Sequence, residues 1–518
     1  MNDNQNLFSA LRRQFPADLD RTAIETGDGP GAPLFYTWRD LDRGTAMLAN
    51  LLDSLELPAG SRVAVQTEKS VEALMLYLAV LRAGLVFLPL NTAYQRSEIE
   101  YFIGNAEPSV VVCSGKNFGW VSQIAFKAGT AHVFTLNEDR TGSLLDRAAW
   151  HSDAHVPAVR TADDLAAILY TSGTTGRSKG AMLSHGNLLS NALTLKDYWG
   201  WKPGDVLIHV LPIFHVHGLF VASHGALING SKMIWFSRFD PKAVIAHLPR
   251  ATVFMGVPTL YVRLLAEAGF TREACQGMRL FVAGSAPLLL ETFNEFRTLT
   301  GHTIVERYGM SETVMLCSNP YHAKDGERRG GTVGFPLPGV GVRVMDDKGR
   351  PCPTGEIGGI EVRGANVFSG YWRMPEKTRE EFSTDAAGQR WFKTGDVGQF
   401  DERGYVTIVG RSKDLIITGG YNVYPAEVEG YLNEMFGVAE SAVIGVPHPD
   451  FGEAVVAVVV PRPGAVLDAA ALIAELKTKI ANFKTPKHLF VVPDLPRNTM
   501  GKVQKNLLRE QHKGLFVA

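Results

Sequence analysis

The sequence predicts an α/β protein with more than one domain, and three observations support this fold class. The chain has 518 residues, which is more than one hydrophobic core ordinarily serves. Strand-like and helix-like segments alternate between about residues 34 and 160, and the strand-like runs are almost continuously apolar, as in parallel strands buried on both faces. Beyond Gly334, short β-type runs separated by Gly and Pro predict an antiparallel subdomain.

Apolar runs and the residues that interrupt them predict the individual elements of the large region. Ser70 and Ser184 are predicted N-caps of helices, because a serine hydroxyl can accept a hydrogen bond from the first helical turn. Pro258 suits the first position of a helix that carries Leu260 to Leu265. Strands are predicted at residues 62–66, 86–90, 109–113, 205–210 and 252–257. Residues 280–288 are predicted to run from a strand through a turn into the start of a helix.

The last hundred or so residues have their own αβ pattern, which predicts a second domain of about minimal size. Helices are predicted at residues 424–435 and 472–481, and strands at 442–445 and 454–460. The chain shows no internal repeat and no low-complexity tract.

Bulk composition excludes several classes of function. The formal net charge of −1 gives no overall field that would favour nucleic acid or an anionic membrane. No apolar run approaches the length of a membrane span, and the N-terminal residues lack the pattern of a secretory signal. The four cysteines are far apart and are expected to be free thiols in a reducing compartment, so we expect a cytoplasmic protein. Nothing in the sequence indicates an oligomeric state.

The most informative stretch is residues 170–180, Tyr-Thr-Ser-Gly-Thr-Thr-Gly-Arg-Ser-Lys-Gly. It follows the apolar run 165–169, and this order predicts a strand that runs into a loop. Its glycines allow a tight turn, its hydroxyl and backbone N–H groups can bind phosphate oxygens, and Arg177 and Lys179 add positive charge. A polar surface turn is the ordinary explanation of such a composition, but eleven such residues after a buried strand favour a phosphate-binding loop. The Gly-Lys-Ser/Thr ending of a P-loop is absent.

This loop resembles the nucleotide-binding loop of the acyl-adenylate-forming (AMP-binding) enzymes, which include acyl-CoA synthetases, and the family's other segments recur in order over most of the chain. The resemblance implies ATP, Mg²⁺ and coenzyme A as cofactors. It also implies a large N-terminal domain, residues 1–410, built of two parallel-sheet subdomains plus a distorted β-barrel subdomain. A small mobile α+β C-terminal domain, residues 411–518, would turn about a hinge near Lys413.

The resemblance assigns roles in nucleotide and metal binding to residues of several loops. Glu312 matches the family's magnesium ligand, with Thr171 as a second metal contact; a carboxylate suits a hard cation that also touches phosphate. Tyr308 offers a ring for stacking adenine, and Asp396 matches the aspartate that accepts hydrogen bonds from the ribose. The full predicted nucleotide-binding set is Thr171, Ser172, Gly173, Thr174, Thr175, Gly176, Lys179, Ser285, Ala286, Pro287, Glu306, Arg307, Tyr308, Gly309, Ser311, Asp396 and Arg411.

Three residues are implied to be catalytic, namely Lys502, Glu312 and His215. Lys502 matches the family's C-terminal lysine, whose flexible ammonium can bridge the substrate carboxylate and the α-phosphate as charge builds. A Gly-Lys pair near a C-terminus is by itself usually a solvated loop. The other face of the small domain would serve thioester formation, with Gly419, Gly420 and Tyr421 as the predicted coenzyme A site.

The identity of the acid that is activated depends on the residues of the acid-binding pocket. Arg263 lies on the helix that flanks the acyl site in relatives, and a second substrate carboxylate would give its guanidinium a bidentate partner. His217 is a possible second donor, and Met310 and Ser285 complete the predicted substrate-binding set. An arginine on the exposed face of an amphipathic helix is the competing explanation of Arg263.

Longer segments resemble one branch of the family, the malonyl-CoA synthetases. These segments are residues 66–73, 90–94, 212–218, 255–265 and 498–505. The branch implies a small-molecule dicarboxylate substrate, malonate and possibly methylmalonate, converted with ATP and coenzyme A to malonyl-CoA, AMP and pyrophosphate. Two alternatives stay open: a synthetase for another short or medium-chain acid, and a nucleotide- or coenzyme A-sensing protein without turnover.

Overall fold

The computed structural model describes residues 4–29, 31–171, 178–419, 421–498 and 501–516. The chain forms two compact units, one of Met1–Gly341 with Val362–Phe392 and the other of Val342–Glu361 with Lys393–Ala518. The predicted domain boundary between residues 410 and 411 and the hinge near Lys413 stay predictions.

The first unit contains the larger set of helices. Their bounds are α1 Leu7–Arg12, α2 Trp38–Asp53, α3 Val71–Arg82, α4 Arg96–Ala106, α5 Phe118–Lys127, α6 Ser143–Ala148, α7 His185–Tyr198, α8 His224–Ile228, α9 Pro241–His247, α10 Pro258–Leu265, α11 Leu290–Thr300 and α12 Pro375–Glu380. The predicted caps are confirmed: the hydroxyl of Ser70 accepts from the N–H of Ala73, and that of Ser184 accepts from the N–H of Asn187.

In the first half of the chain, the bounds of the strands agree closely with the predicted apolar runs. The bounds of the strands up to residue 411 are given next. They are β1 Thr22–Thr26, β2 Phe35–Thr37, β3 Arg62–Gln66, β4 Val86–Pro89, β5 Val110–Cys113, β6 His132–Thr135, β7 Leu165–Thr171, β8 Lys179–Ser184, β9 Val206–His209, β10 Lys232–Trp235, β11 Val253–Gly256, β12 Leu280–Ala283, β13 Val305–Met310, β14 Val314–Ser318, β15 Phe335–Pro336, β16 Gly341–Met345, β17 Gly358–Arg363, β18 Gly370–Tyr371, β19 Phe382–Thr384, β20 Arg390–Phe400 and β21 Val406–Arg411.

Two large sheets organise the first unit, as far as its residues are described. One has the strand order β18-β8-β7-β4-β3-β5-β6 and the other β15-β14-β13-β12-β11-β9-β10-β1-β2. Pairings among β3 to β7 in the first sheet, and among β1 and β9 to β13 in the second, are parallel. The two predicted parallel-sheet subdomains are therefore confirmed, with antiparallel strands at their edges.

Helix α3 lies in the interior, since each of its residues is buried. A helix that is apolar on all sides is expected inside a large protein, and each fully buried leucine contributes roughly 2 to 3 kcal/mol relative to an exposed one. Its single buried arginine, Arg82, donates to a carboxylate oxygen of Asp42 at 3.1 Å, so this buried charge is paired.

The predicted antiparallel region is also present. Its sheet has the strand order β16-β17-β20-β19, with β21 added on β20. Strand β20 pairs antiparallel with β19 and with β21. The strand pairings of the described residues leave this sheet open, so the fold contains an antiparallel sheet where a distorted barrel was expected.

The second unit has its own core and a sheet covered by helices. Its further elements are β22 Ile416–Thr418, β23 Tyr421–Val423, α13 Pro425–Asn433, β24 Val438–His448, β25 Gly452–Pro461, α14 Ala469–Lys479, β26 His488–Val491 and α15 Lys505–His512. The strand order is β23-β22-β25-β24 with β26 on β25. No helix in the described parts of the chain is long and apolar enough to cross a bilayer.

Candidate active site

The predicted phosphate-binding loop joins two antiparallel strands of the first unit. Strand β7 ends at Thr171 and β8 begins at Lys179, and these two residues are paired across the hairpin. The hydroxyl of Thr171 lies 3.4 Å from the carbonyl oxygen of Lys179. The nucleotide-binding residues predicted at Ser172, Gly173, Thr174, Thr175 and Gly176 lie outside the described residues.

Lys179 is connected to Glu312 through a tyrosine that the sequence interpretation did not include. The Lys179 ammonium lies 3.3 Å from a carboxylate oxygen of Glu381 and 4.3 Å from the centre of the Tyr371 ring. The Tyr371 hydroxyl donates to Glu312 at 3.0 Å, and both side chains are buried. Three segments far apart in sequence therefore meet at this point.

This arrangement fits a magnesium ion that is shared with phosphate. Glu312 offers a buried carboxylate whose orientation is fixed by Tyr371. Within the described residues there is no group of three or more His, Cys, Asp or Glu side chains that could enclose a metal. Mg²⁺ that keeps most of its waters and binds a triphosphate needs only one or two protein carboxylates, so the donor set suits this cation.

The end of β13 makes a sharp turn that holds Tyr308, Ser311 and Glu312 in place. Gly309 is required here, because a Cβ atom at this position would lie 1.9 Å from the carbonyl oxygen of Val314. Val314 has a φ of 54°, a left-handed conformation that is strained for a β-branched residue. Such strain concentrates at functional sites.

A second cluster joins Ser285, His217 and Arg307. The hydroxyl of Ser285 lies 3.3 Å from Nδ1 of His217 and 3.5 Å from Nη2 of Arg307. Ser285 itself has a φ of 72°, and Ala286 and Pro287 follow it in the same turn. The structure thus brings together residues that were predicted to bind substrate and nucleotide.

His217 begins a π-helical segment, His217–Ser223, that runs directly into α8. π-helical turns are rare and are frequent at functional sites. The Nδ1 atom of His215 accepts a hydrogen bond from the backbone N–H of His217 at 3.2 Å. Burial, and then the charge of Arg307, hold the pKa of His217 well below its ordinary value, so its imidazole is neutral at pH 7.

Glu306 is the one acidic residue of strand β13, and its side chain is buried. Its Oε1 lies 3.4 Å from the backbone N–H of Leu288, whereas Oε2 is buried without a hydrogen-bond partner. Burial raises the pKa of Glu306 to about 8, so the carboxyl group is largely protonated at pH 7.

A cavity of about 200 Å³ lies where segments 66–73, 90–94 and 212–218 each contribute lining residues. Lys69 is at its wall: the ammonium lies 3.0 Å from Nδ1 of His209 and 4.4 Å from the centre of the Trp235 ring. Burial lowers the pKa of Lys69 well below its ordinary value. These three segments are among those that resemble the malonyl-CoA synthetases, and the fold brings them to one cavity.

Two other predicted substrate-binding residues are less enclosed. Arg263, on α10, is exposed, whereas Leu260, Tyr261 and Leu264 of the same helix are buried. Met310 is half-buried at the end of β13. A contact between Arg263 and substrate stays a prediction.

In the second unit, three predicted residues lie close together. Nε of Arg411 is 2.7 Å from Oδ1 of Asp396, and the two residues face each other across β20 and β21. Removal from water, followed by repulsion from Arg411, lowers the pKa of Lys502, and Asp396 opposes the effect. The backbone N–H of Lys502 is held by the side chain of Asn498 at 3.0 Å.

Of the predicted coenzyme A segment, Gly419 follows β22 and Tyr421 begins β23. Gly419 has a φ of 56°, which favours glycine. The exposed ring of Tyr421 stacks on Phe483, with ring centres 4.8 Å apart. Gly420 lies outside the described residues.

Comparison with known proteins assigns most of the chain to two family models. The model described as "AMP-binding enzyme" matches residues 11–372. The model described as "AMP-binding enzyme C-terminal domain" matches residues 427–502.

Three relatives indicate the range of similarity. The crystal structure of ATP-bound MatB from Rhodopseudomonas palustris is 55% identical, covers 99% of this chain and 100% of that chain, and has a TM-score of 0.94. The mitochondrial malonate–CoA ligase ACSF3 of Homo sapiens is 35% identical over 83% of this chain and 79% of its own length. A feruloyl-CoA synthase of Amycolatopsis sp is 34% identical over 98% of this chain and 99% of its own length.

Proposed function

This chain belongs to the family of AMP-binding enzymes, and we propose that it is an AMP-forming malonyl-CoA synthetase. Malonate would react with ATP to give malonyl-AMP and pyrophosphate, and coenzyme A would then displace AMP to give malonyl-CoA. Methylmalonate is the expected second substrate. Activation through an adenylate is needed because an ionised carboxylate has no good leaving group.

The observation that carries this proposal is the network of Lys179, Tyr371 and Glu312 in the first unit. It offers a cation for phosphate oxygens and an oriented carboxylate for Mg²⁺, which a protein that only senses a nucleotide does not need. When bound, Mg²⁺ would neutralise charge on the phosphates and on the departing pyrophosphate.

Residues of the second unit would also contact the nucleotide. Asp396 would accept hydrogen bonds from the ribose hydroxyls, and Arg411, held against Asp396 at 2.7 Å, would contact the ribose and phosphate. Lys502 would place its ammonium between the substrate carboxylate and the α-phosphate, where negative charge grows in the transition state.

The thioester half-reaction would use another part of the second unit. Gly419 and Gly420, which have no side chains, would leave room for a pantetheine arm, and the exposed ring of Tyr421 would give it an apolar surface. His215, beside His217 at the start of the π-helical segment, would help to position the acyl group. A turn of the C-terminal region about Lys413 would exchange the two active faces.

A second candidate comes from the feruloyl-CoA synthase, which is 34% identical to this chain, against 35% for the human malonate–CoA ligase. An aromatic acid would need an apolar pocket, whereas the cluster around Ser285 contains a buried guanidinium and a buried imidazole. Polar groups of this kind favour a short acid with a second charge.

The test is pyrophosphate release by the purified protein with ATP, Mg²⁺, coenzyme A and a panel of acids. The panel contains malonate, methylmalonate, acetate, propionate, octanoate and ferulate at equal concentrations. We expect the highest kcat/KM with malonate. Preference for ferulate or a monocarboxylate would transfer the assignment to another acid, and no pyrophosphate with any acid would favour a sensing protein.

The location of the protein in the cell stays a prediction. We propose the cytoplasm, because the four cysteines are free thiols, as is usual in a reducing compartment. The human relative carries the word mitochondrial in its name, and that word applies to the human protein.

A further inference from the structure

His209, the last residue of β9, is a buried histidine whose ring nitrogens both have defined partners. Only 1% of its surface is exposed. Nε2 lies 3.0 Å from the carbonyl oxygen of Gly218, and a carbonyl oxygen can only accept, so Nε2 carries the ring proton. Burial holds the pKa of His209 well below its ordinary value. The ring is therefore neutral at pH 7, and its Nδ1 atom is an acceptor.

Lys69 holds this histidine at two atoms. Lys69 follows β3 of one large sheet, whereas His209 ends β9 of the other. The side-chain nitrogen of Lys69 donates to Nδ1 of His209 at 3.0 Å and to its backbone carbonyl oxygen at 2.9 Å. The ring of Trp235 lies 4.4 Å from the same nitrogen and 4.4 Å from the imidazole, between centres. A rotation of the imidazole would break the bonds to Lys69 and to Gly218 together.

The carbonyl group that His209 holds belongs to the first turn of the π-helical segment. The hydroxyl of Ser223 donates to the same oxygen of Gly218 at 2.9 Å. A Cβ atom on Gly218 would lie 2.1 Å from the carbonyl oxygen of Pro212, so the backbone is tightly packed at this point. Two hydrogen bonds and this close packing together fix the position of the turn.

The same turn carries a residue of the predicted acid-binding cluster. His217 precedes Gly218, and its Nδ1 atom lies 3.3 Å from the hydroxyl of Ser285. Because the two residues are adjacent, a shift of the carbonyl of Gly218 also displaces the imidazole of His217. A displacement of about 1 Å at a reacting group can cost about a hundredfold in rate.

The position of Lys69 is costly for the fold. Part of the residue stays exposed, yet its side-chain nitrogen lies against two buried residues, His209 and Trp235. No carboxylate among the described residues forms an ion pair with it. Burial lowers its pKa well below the ordinary value, and the charge of Asp28 opposes this effect. An enclosed amine without such a partner destabilises a protein, and this cost is common where a residue serves activity.

We propose that Lys69 is a positioning residue for the acid substrate, because it fixes His209 and, through the carbonyl of Gly218, the place of His217 beside Ser285. Lys69 touches no reacting atom in this role. The proposal deepens the proposed function and rests on it, since that function assigns the cluster around Ser285 to the acid.

The first test compares Lys69→Met with the wild type and with Lys116→Met. Lys116 is an exposed lysine that pairs with Glu68, the residue before Lys69. The kcat and the KM values for malonate, ATP and coenzyme A are measured by pyrophosphate release. We expect Lys69→Met to lose at least about tenfold in kcat/KM for malonate, with a raised KM for malonate and nearly unchanged KM values for ATP and coenzyme A. Lys116→Met, the matched control, should change each value less than about twofold.

Thermal unfolding at pH 7 separates positioning from support of the fold. Lys69→Met should have a Tm at least equal to that of the wild type, because the enclosed amine is gone. A lower Tm with equal losses for all three substrates would overturn the proposal. A rise confined to the KM of coenzyme A would also overturn it, since Lys69 lines the cavity and would then serve the thiol.

Two variants of His209 test the same route with Lys69 in place, and so stand even if Lys69→Met does not fold. In His209→Gln the amide nitrogen can still donate to the carbonyl of Gly218, whereas His209→Leu has no donor. We expect the glutamine variant to keep at least about fivefold more kcat/KM with malonate than the leucine variant. Adding Lys69→Met to His209→Leu should cause no further loss. Equal activity of the two His209 variants, or independent losses in the double variant, would show that Lys69 does not act through His209.

Failure of the proposed function gives a different result. A wild-type protein that turns over another acid and not malonate would refute the malonate assignment, and the same variants are then compared with that acid. The expected rise in KM then applies to that acid, because the cluster around Ser285 would bind it. No turnover with any acid would refute both proposals.

Discussion

Replacing Glu306 with glutamine should remove most of a pH-dependent loss of stability in the first unit. Burial raises the pKa of this carboxyl group from its ordinary value of 4.5 to about 8. The folded protein therefore holds a proton that the unfolded chain has released at any pH between these two values. Stability is fully present below pH 4.5 and is lost as the pH rises towards 8.

The size of the effect follows from the pKa values. Moving a pKa from 4.5 to about 8 corresponds to about 5 kcal/mol at 1.36 kcal/mol per pH unit. At pH 5 most of this cost is absent, so the wild type should lose about 4 kcal/mol more than Glu306→Gln between pH 5 and pH 9. Glutamine has a similar shape and can still accept from the backbone N–H of Leu288, so the variant is not expected to create a cavity.

The positions of the tryptophans allow unfolding of the first unit to be followed by fluorescence. All eight tryptophans lie in the residues of the first unit, so tryptophan fluorescence during urea unfolding reports on that unit. The free energy of unfolding is measured for both proteins at pH 5, 7 and 9. Parallel curves for wild type and Glu306→Gln would show that Glu306 ionises near its ordinary pKa, and the argument from burial would be refuted.

Three further changes test other parts of the site. Lys502→Ala should abolish malonyl-AMP formation, measured by pyrophosphate release, and spare thioester formation from supplied malonyl-AMP; equal loss in both steps would contradict its assignment. Tyr371→Phe removes the donor to Glu312, worth about 1 to 3 kcal/mol for a hydrogen bond to a charged group. The Mg²⁺ concentration at half-maximal rate should rise at least about fivefold, and an unchanged Mg²⁺ dependence would separate Glu312 from the metal. Lys69→Met should stabilise the first unit at pH 7, because burial lowers the pKa of this lysine, and the gain should shrink as the pH approaches 10.5. A gain that does not change with pH would mean that the lysine stays charged in the folded protein.

Local sequence was sufficient to locate several of the buried strands and two helix N-caps. Ser70 and Ser184 precede helices as predicted, because an N-cap depends on a few adjacent residues. The predicted ends of strands were less accurate where pairing with another strand determines the length of the strand. The strands predicted at 442–445 and 454–460 are the centres of a longer antiparallel hairpin, Val438–His448 with Gly452–Pro461, whose ends are stabilised by each other.

Some residues of the site could be predicted from local motifs, whereas others depend on contacts between distant segments. Thr171, Lys179 and Glu312 were recognisable because a loop after a strand carries its chemistry in consecutive residues, and the fold brings them into one neighbourhood. Tyr371 was not recognised, since it stands in no motif and reaches Glu312 only through the packing of distant segments.

The sequence by itself determined the family, the order of the elements and the residue types that meet the phosphates, because these depend on local patterns of apolar residues, glycines and hydroxyls. The tertiary structure alone decided which of these groups are buried. Burial is what leaves Glu306 protonated and Arg307 without an anionic partner among the described residues, since the cost of removing a charge from water depends on its neighbours in space, most of which are distant in sequence.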